Sequence, residues 1–119
     1  FVAVGGHSMG GVRACELAAD PAVERLVLMA SYCINDVSSA ELSVLSLHGS
    51  EDLLIDQDAI ASSRSLLPND HRTIVLPGLS HASFGDYGPQ SGDGIPQLSR
   101  TEAIEAITTE LLNALSARP

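Results

Sequence analysis

The chain has 119 residues, is 45% hydrophobic and carries a formal net charge of −9, with 6 Lys+Arg against 15 Asp+Glu. That length holds one domain at most, and the composition is that of a folded globular chain rather than a disordered tail or a collagen-like repeat. All six cations are Arg, scattered from Arg13 to Arg118 without clustering, so nucleic acid, anionic membrane surfaces and acidic polymers are disfavoured as partners.

FVAVG (residues 1–5) reads as a strand, and because Phe1 already lies inside it, a natural N-terminus is expected further upstream, with any signal peptide or anchor. The compartment is therefore open. A helix is expected over about 9–19, then the strand RLVLMA (25–30), the strand LSVLSLHG (42–49) and a helix over about 57–67. The strand RTIVLPG (72–78) follows, then ASFGDYGPQSGDGIPQ (82–97), whose Gly, Pro, Asp and Ser make turns. A last helix covers about 100–117: Ser99 and Glu102 form a capping box, and Ile104, Ile107, Leu111 and Leu115 recur at helical spacing as its buried face. Alternating strands and helices predict crossover connections and a mostly parallel sheet flanked by helices, the α/β class. The continuous apolar strands suit helices on both faces. No apolar run approaches the ~18 to 20 residues of a bilayer span. Cys15 and Cys33 have neither metal-ligand spacing nor scaffold density, and are expected as free, mostly buried thiols.

The stretch between the first strand and first helix is G-H-S-M-G-G, and a strand, G-x-S-x-G and a helix together are the setting of a nucleophile elbow at Ser8. The sharp reversal forces an unfavourable backbone at Ser8, with Gly6 and Gly10 read as removing side chains that would collide across the turn. Gly11 lets helix and strand approach. The helix N-terminus sets unpaired N–H groups beside the serine oxygen, so the Met9 amide is the expected oxyanion donor. A Walker loop needs a Lys that the chain lacks, and a dinucleotide fingerprint needs Gly where Ser8 stands.

A serine hydroxyl needs a histidine base and an acid that orients it. His7 adjoins Ser8 but points elsewhere, His48 ends a strand, and His71 sits in a polar connection. His81 follows the strand RTIVLPG at the same sheet rim as Ser8, which makes it the expected base. For the acid, LHGSEDLLID offers Asp52, just past a strand, with Asp56 and Glu51 as alternatives; Asp56 is also placed to start the next helix. The chain order is then Ser8, Asp52, His81.

These residues carry a resemblance. G-H-S-M-G-G, H-G-S-E-D and G-L-S-H-A-S-F-G-D-Y-G make the sequence similar to the C-terminal half of an α/β-hydrolase, in the fold-5 group near the dienelactone-hydrolase-like enzymes. The resemblance covers essentially the whole chain and implies one partial domain over 1–119, holding strands five to eight and the C-terminal helix. It also implies that the first four strands are absent, and with them the loop that supplies the second oxyanion donor. Dienelactone hydrolases use cysteine where this elbow has Ser8, so the likeness speaks to fold rather than substrate. Only about 11 residues, SYCINDVSSAE, separate the sixth and seventh strands, too few for a lid. The site is therefore expected to be open, with water excluded by the 82–97 loop or the absent half.

The expected function is a serine hydrolase acting on a small-molecule ester or similar acyl compound through an acyl-enzyme, with no cofactor and no metal. Asp86 and Asp93 lack ligand-loop spacing. Tyr32, Phe84 and Tyr87 are candidate substrate contacts because their loops lie near the rim. The alternatives are a non-catalytic hydrolase-like scaffold, or perhydrolysis on the same three residues.

Overall fold

A computed structural model of the chain describes residues 1–116. Its four strands, β1 (Val2–His7), β2 (Val23–Met29), β3 (Ser43–Gly49) and β4 (His71–Leu76), pair in chain order, and every pair is parallel. Parallel neighbours need crossovers, and right-handed crossovers advancing in one direction put their helices on one face of the sheet. Accordingly α1 (Met9–Leu17) sets Ala14 and Cys15 against Leu26, Leu28 and Val44. Ile60 of α2 (Gln57–Ser63) lies on that face too, near Leu28, Ser46 and His48. The opposite face packs Val27, Leu45 and Leu47 against Ile107, Leu111 and Ala114 of α3 (Arg100–Ser116). The period-two alternation of Leu26, Val27 and Leu28 thus divides one apolar strand between two cores. The central strands β2 and β3 are largely buried, whereas β1 and β4 are largely exposed, and the outer edge of β1 is unpaired among the described residues.

Strand and helix order agree with the sequence reading, and the differences have local causes. The second helix stops at Ser63 and continues as a single 3-10 turn, Arg64–Leu66, because Leu67 precedes Pro68 and is held extended, at φ −95° and ψ 150°. The capping box of α3 forms as expected, with Ser99 N donating to Glu102 Oε1 at 3.0 Å and Glu102 N to Ser99 Oγ at 3.1 Å. Ile107 and Leu111 face the sheet as expected, but at the start of the helix Ala103 is buried while Ile104 is 46% exposed. Alanine at 103 and 114 lets the helix approach the sheet, and Arg25 fixes its far end by donating from Nη1 to Ala114 O at 2.6 Å. Residue 117, expected in this helix, lies outside the described residues. No helix among the described residues is long and apolar enough to cross a membrane.

The cysteine expectation is corrected. Cys15 and Cys33 are both buried, as read, but they form a disulfide, with Cα atoms 5.5 Å apart. Cys15 faces the sheet from α1, and the chain leaving β2 passes over the same core at Cys33, so helix packing brings together two residues 18 apart in sequence. Nothing in their spacing signals this.

Candidate active site

Ser8 follows β1, Asp52 follows β3 and His81 follows β4, so all three stand on the rim formed by the C-terminal strand ends. Ser8 has φ 55° and ψ −123°, a backbone costing about 1–3 kcal/mol that persists only where its surroundings fix it. Those surroundings are specific. Ser8 N donates to Met29 O at 3.0 Å, and Ser8 O accepts from Gly11 N at 3.0 Å and from Ser31 Oγ at 2.6 Å. The Ser8 side chain makes no cap bond to α1.

The glycines divide unequally. A Cβ at Gly6 would lie 2.3 Å from the backbone of Gly10, and one at Gly11 would lie 2.3 Å from Ser31 Oγ. At Gly10 a Cβ would meet nothing within 4 Å, which corrects the reading of Gly10 as a clash-relieving residue. Gly10→Ala should therefore stabilise α1 by up to about 1 kcal/mol. Gly6→Ala should cost about 1 to 3 kcal/mol, because its neighbour is backbone. Urea midpoints of the two variants check this, and equal losses would mean that both glycines serve the turn.

His81 Nε2 lies 3.0 Å from Ser8 Oγ, and His81 Nδ1 lies 2.8 Å from Asp52 Oδ2. The second carboxylate oxygen, Asp52 Oδ1, accepts from Leu54 N at 2.9 Å and Ile55 N at 3.0 Å. Asp52 and His81 are each 6% exposed. With the carboxylate fixed as acceptor, Nδ1 carries the ring hydrogen and Nε2 presents a lone pair to the serine hydroxyl. The rival acids are engaged elsewhere: Asp56 caps α2 through Asp58 N and Ala59 N, and Glu51 bonds Ser50 and Gln97. Met9 opens α1, so its N–H has no partner within the helix.

Among the aromatic candidates, Phe84 packs into the core beneath α3, near Ile107, and Tyr32 is half-buried beside a cavity of about 10 Å³ shared with His48, Ile60 and Thr73. The Tyr87 hydroxyl lies within hydrogen-bond reach of His7 Nδ1 and 3.2 Å from His7 Nε2. His71 donates from Nδ1 to Pro68 O at 2.6 Å, away from the rim.

Two residues that the sequence reading left aside stand against His81. Asp93 Oδ1 accepts from His81 N at 3.1 Å, and Asp93 Oδ2 from Ala82 N at 2.9 Å. Burial alone would raise the Asp93 carboxyl, but the N–H groups of Ala82, His81, Gly94 and Leu53 hold it below the usual carboxylate range. His7 Nε2 donates to His81 O at 2.9 Å. These bonds engage main-chain atoms, which leave no mark in a sequence.

His48 is the fourth histidine, 5% exposed, with Nδ1 lacking a hydrogen-bond partner among the described residues. Burial pushes its imidazole below the usual 6.5, the Asp52 charge opposing and Arg64 adding to the shift. The unfolded chain then binds the extra proton first, so His48 contributes stability that is present above pH about 6.5 and lost as pH falls through the folded pKa. His48→Gln should flatten that acid-side loss, read from urea midpoints at pH 7.5 and 5.5. A loss as steep as that of the parent would assign it to other groups.

The alpha/beta hydrolase family profile matches residues 1–105, and the chain belongs to that family. No curated protein matches it. Among solved structures it is similar to a protein provisionally assigned as a dienelactone hydrolase from Klebsiella pneumoniae subsp. pneumoniae, at 20% identity and TM-score 0.65, covering 98% of this chain and 52% of that one. A dienelactone hydrolase-like promiscuous phosphotriesterase from metagenomic libraries matches at 19% identity and TM-score 0.64, over 95% and 52% of the two chains. A provisionally assigned CIB-like hydrolase from Thermoplasma acidophilum matches at 17% identity and TM-score 0.62, over 93% and 50%. The chain thus spans about half the length of these structures.

Proposed function

We propose that this chain carries the nucleophile, base and acid of a serine hydrolase that cleaves carboxylic esters or similar acyl bonds. The observation that carries the reading is the unbroken line from Ser8 Oγ to His81 Nε2, 3.0 Å, and from His81 Nδ1 to Asp52 Oδ2, 2.8 Å, at a strained elbow. Family membership and the hydrolase-named structural relatives support hydrolysis as the reaction class.

In this mechanism Ser8 Oγ attacks the acyl carbonyl while His81 Nε2 takes its proton. Asp52 holds the tautomer and stabilises the imidazolium, and the Met9 N–H binds the developing oxyanion, aided by the positive end of α1. His81 then returns the proton to the leaving group, giving an acyl-enzyme. Water, deprotonated by the same imidazole, releases the acid and restores Ser8. A hydrolase-like scaffold would have no use for three groups in mutual hydrogen-bond register. The test is a fluorophosphonate probe followed by intact mass and peptide mapping. A single adduct on Ser8, absent in Ser8→Ala, is expected; labelling elsewhere or none at all would overturn the assignment.

A further inference from the structure

We propose that His7 is a positioning residue for His81, holding the main-chain carbonyl of the base from the residue next to the nucleophile. This deepens the hydrolase reading and rests on it. His7 Nε2 lies 2.9 Å from His81 O, across 74 positions of sequence. A carbonyl only accepts, so the ring hydrogen sits on Nε2 and Nδ1 is left as an acceptor, the position to which the Tyr87 hydroxyl donates. The bond to His81 O needs a hydrogen on Nε2, and acceptance from Tyr87 at Nδ1 needs the neutral ring. The ring is also packed on three sides, with centroids 4.7 Å from His81, 5.9 Å from Phe84 and 5.6 Å from Tyr87.

The effect falls on the distance that matters for proton transfer. Asp93 fixes the N–H side of His81 and His7 fixes its C=O side, so the backbone that carries the imidazole is held at both ends. Because His7 and Ser8 are adjacent, the second hold refers the base directly to the nucleophile. Proton transfer is sensitive to such placement: a 1 Å displacement can cost about 10²-fold in rate.

His7 must also remain uncharged. A proton on Nδ1 would turn the Tyr87 hydroxyl from donor to acceptor and set a positive charge 4.7 Å from the ring that becomes imidazolium during acylation. The titratable groups facing His7 are His81 and Tyr87 in contact, with Asp52 and Asp93 beyond them. Burial, followed by the charge of His81, pushes the His7 imidazole below its usual range, against the opposing pull of the hydrogen bond to His81 and of the two carboxylates.

The test uses the full chain with p-nitrophenyl acetate as probe, comparing Ser8→Ala, His7→Phe, His7→Gln and Tyr87→Phe. His7→Phe keeps a stacked ring but removes the donor, and kcat should fall about 10- to 100-fold with KM within about twofold. His7→Gln should restore most of kcat, since its amide nitrogen reaches the place of Nε2. Tyr87→Phe, at a site 52% exposed, should fold whatever the fate of His7→Phe, and should move the acid limb of kcat to higher pH. A kcat for His7→Phe within twofold of the parent, a loss confined to KM, no rescue by Gln, or an unmoved acid limb in Tyr87→Phe would each overturn the role. If Ser8→Ala keeps its turnover, the hydrolase reading itself fails; if Ser8→Ala is dead and His7→Phe is active, only the positioning role does.

Discussion

Replacing Ser8 or His81 by Ala should lower turnover of an activated ester by about 10⁶-fold, and Asp52→Asn by about 10⁴-fold, while the variants stay folded. The ordering follows from the geometry. In the proposed mechanism Ser8 supplies the bond to carbon and His81 the proton path at 3.0 Å, so either loss would remove the step itself. Asn at 52 would still fit the space but would present a donor to His81 Nδ1, favouring the tautomer whose Nε2 carries a hydrogen and cannot accept one from serine. Asp56→Asn should leave turnover within about threefold and cost under about 1 kcal/mol, because Asn also caps helices well. Steady-state kinetics on the four variants decide the matter. An Asp56 variant weaker than the Asp52 variant would reassign the acid, and a Ser8→Ala loss below tenfold would end the serine mechanism.

Removing the disulfide by Cys15→Ala with Cys33→Ala should cost about 3 kcal/mol, the value expected for closing a loop of this size. Both half-cystines are at most 1% exposed, so a reductant reaches them only when α1 or the chain after β2 lifts away. The parent should therefore resist reduction while folded and, once reduced in denaturant, refold with the urea midpoint of the double variant. Identical midpoints for oxidised parent and double variant would show that the cross-link adds nothing. Its loss should also slow probe labelling of Ser8. The cross-linked segment carries Ser31, whose hydroxyl holds Ser8 O at 2.6 Å, and it is anchored a second time where Asn35 Nδ2 donates to Cys15 O at 3.0 Å.

The fold was legible where burial writes a pattern. Val27 to Met29, and Val44 with Leu45, are apolar on both faces because helices cover both, and the capping box marked the start of α3 to the residue. That Ser8, His81 and Asp52 come together was legible because each follows a strand end in one parallel sheet, and Asp56 could be placed at the start of a helix. What stayed hidden concerns partners that sequence does not encode. Asp93 and His7 act on main-chain atoms of His81 and Ala82, and Ser31 on the carbonyl of Ser8. The stripe of α3 was misread at Ile104 because the close contacts are made by Ala103 and Ala114, whose small side chains add little to an apolar period. The disulfide depended on how α1 docks, a tertiary fact with no local signature.

The placement of the three groups at the ends of β1, β3 and β4 has a consequence for folding time. Ser8 and His81 are 73 positions apart, and they meet only after β2, β3 and β4 have added to β1 in parallel register, each addition closing a long crossover. Helical turns of α1 can form from local contacts, whereas the Ser8 backbone waits on Met29 and Ser31, and the Ser8–His81 bond on the docking of the last strand. Refolding followed by helical signal should therefore run ahead of refolding followed by covalent capture at Ser8, making that capture a clock for the final event in assembly of the chain.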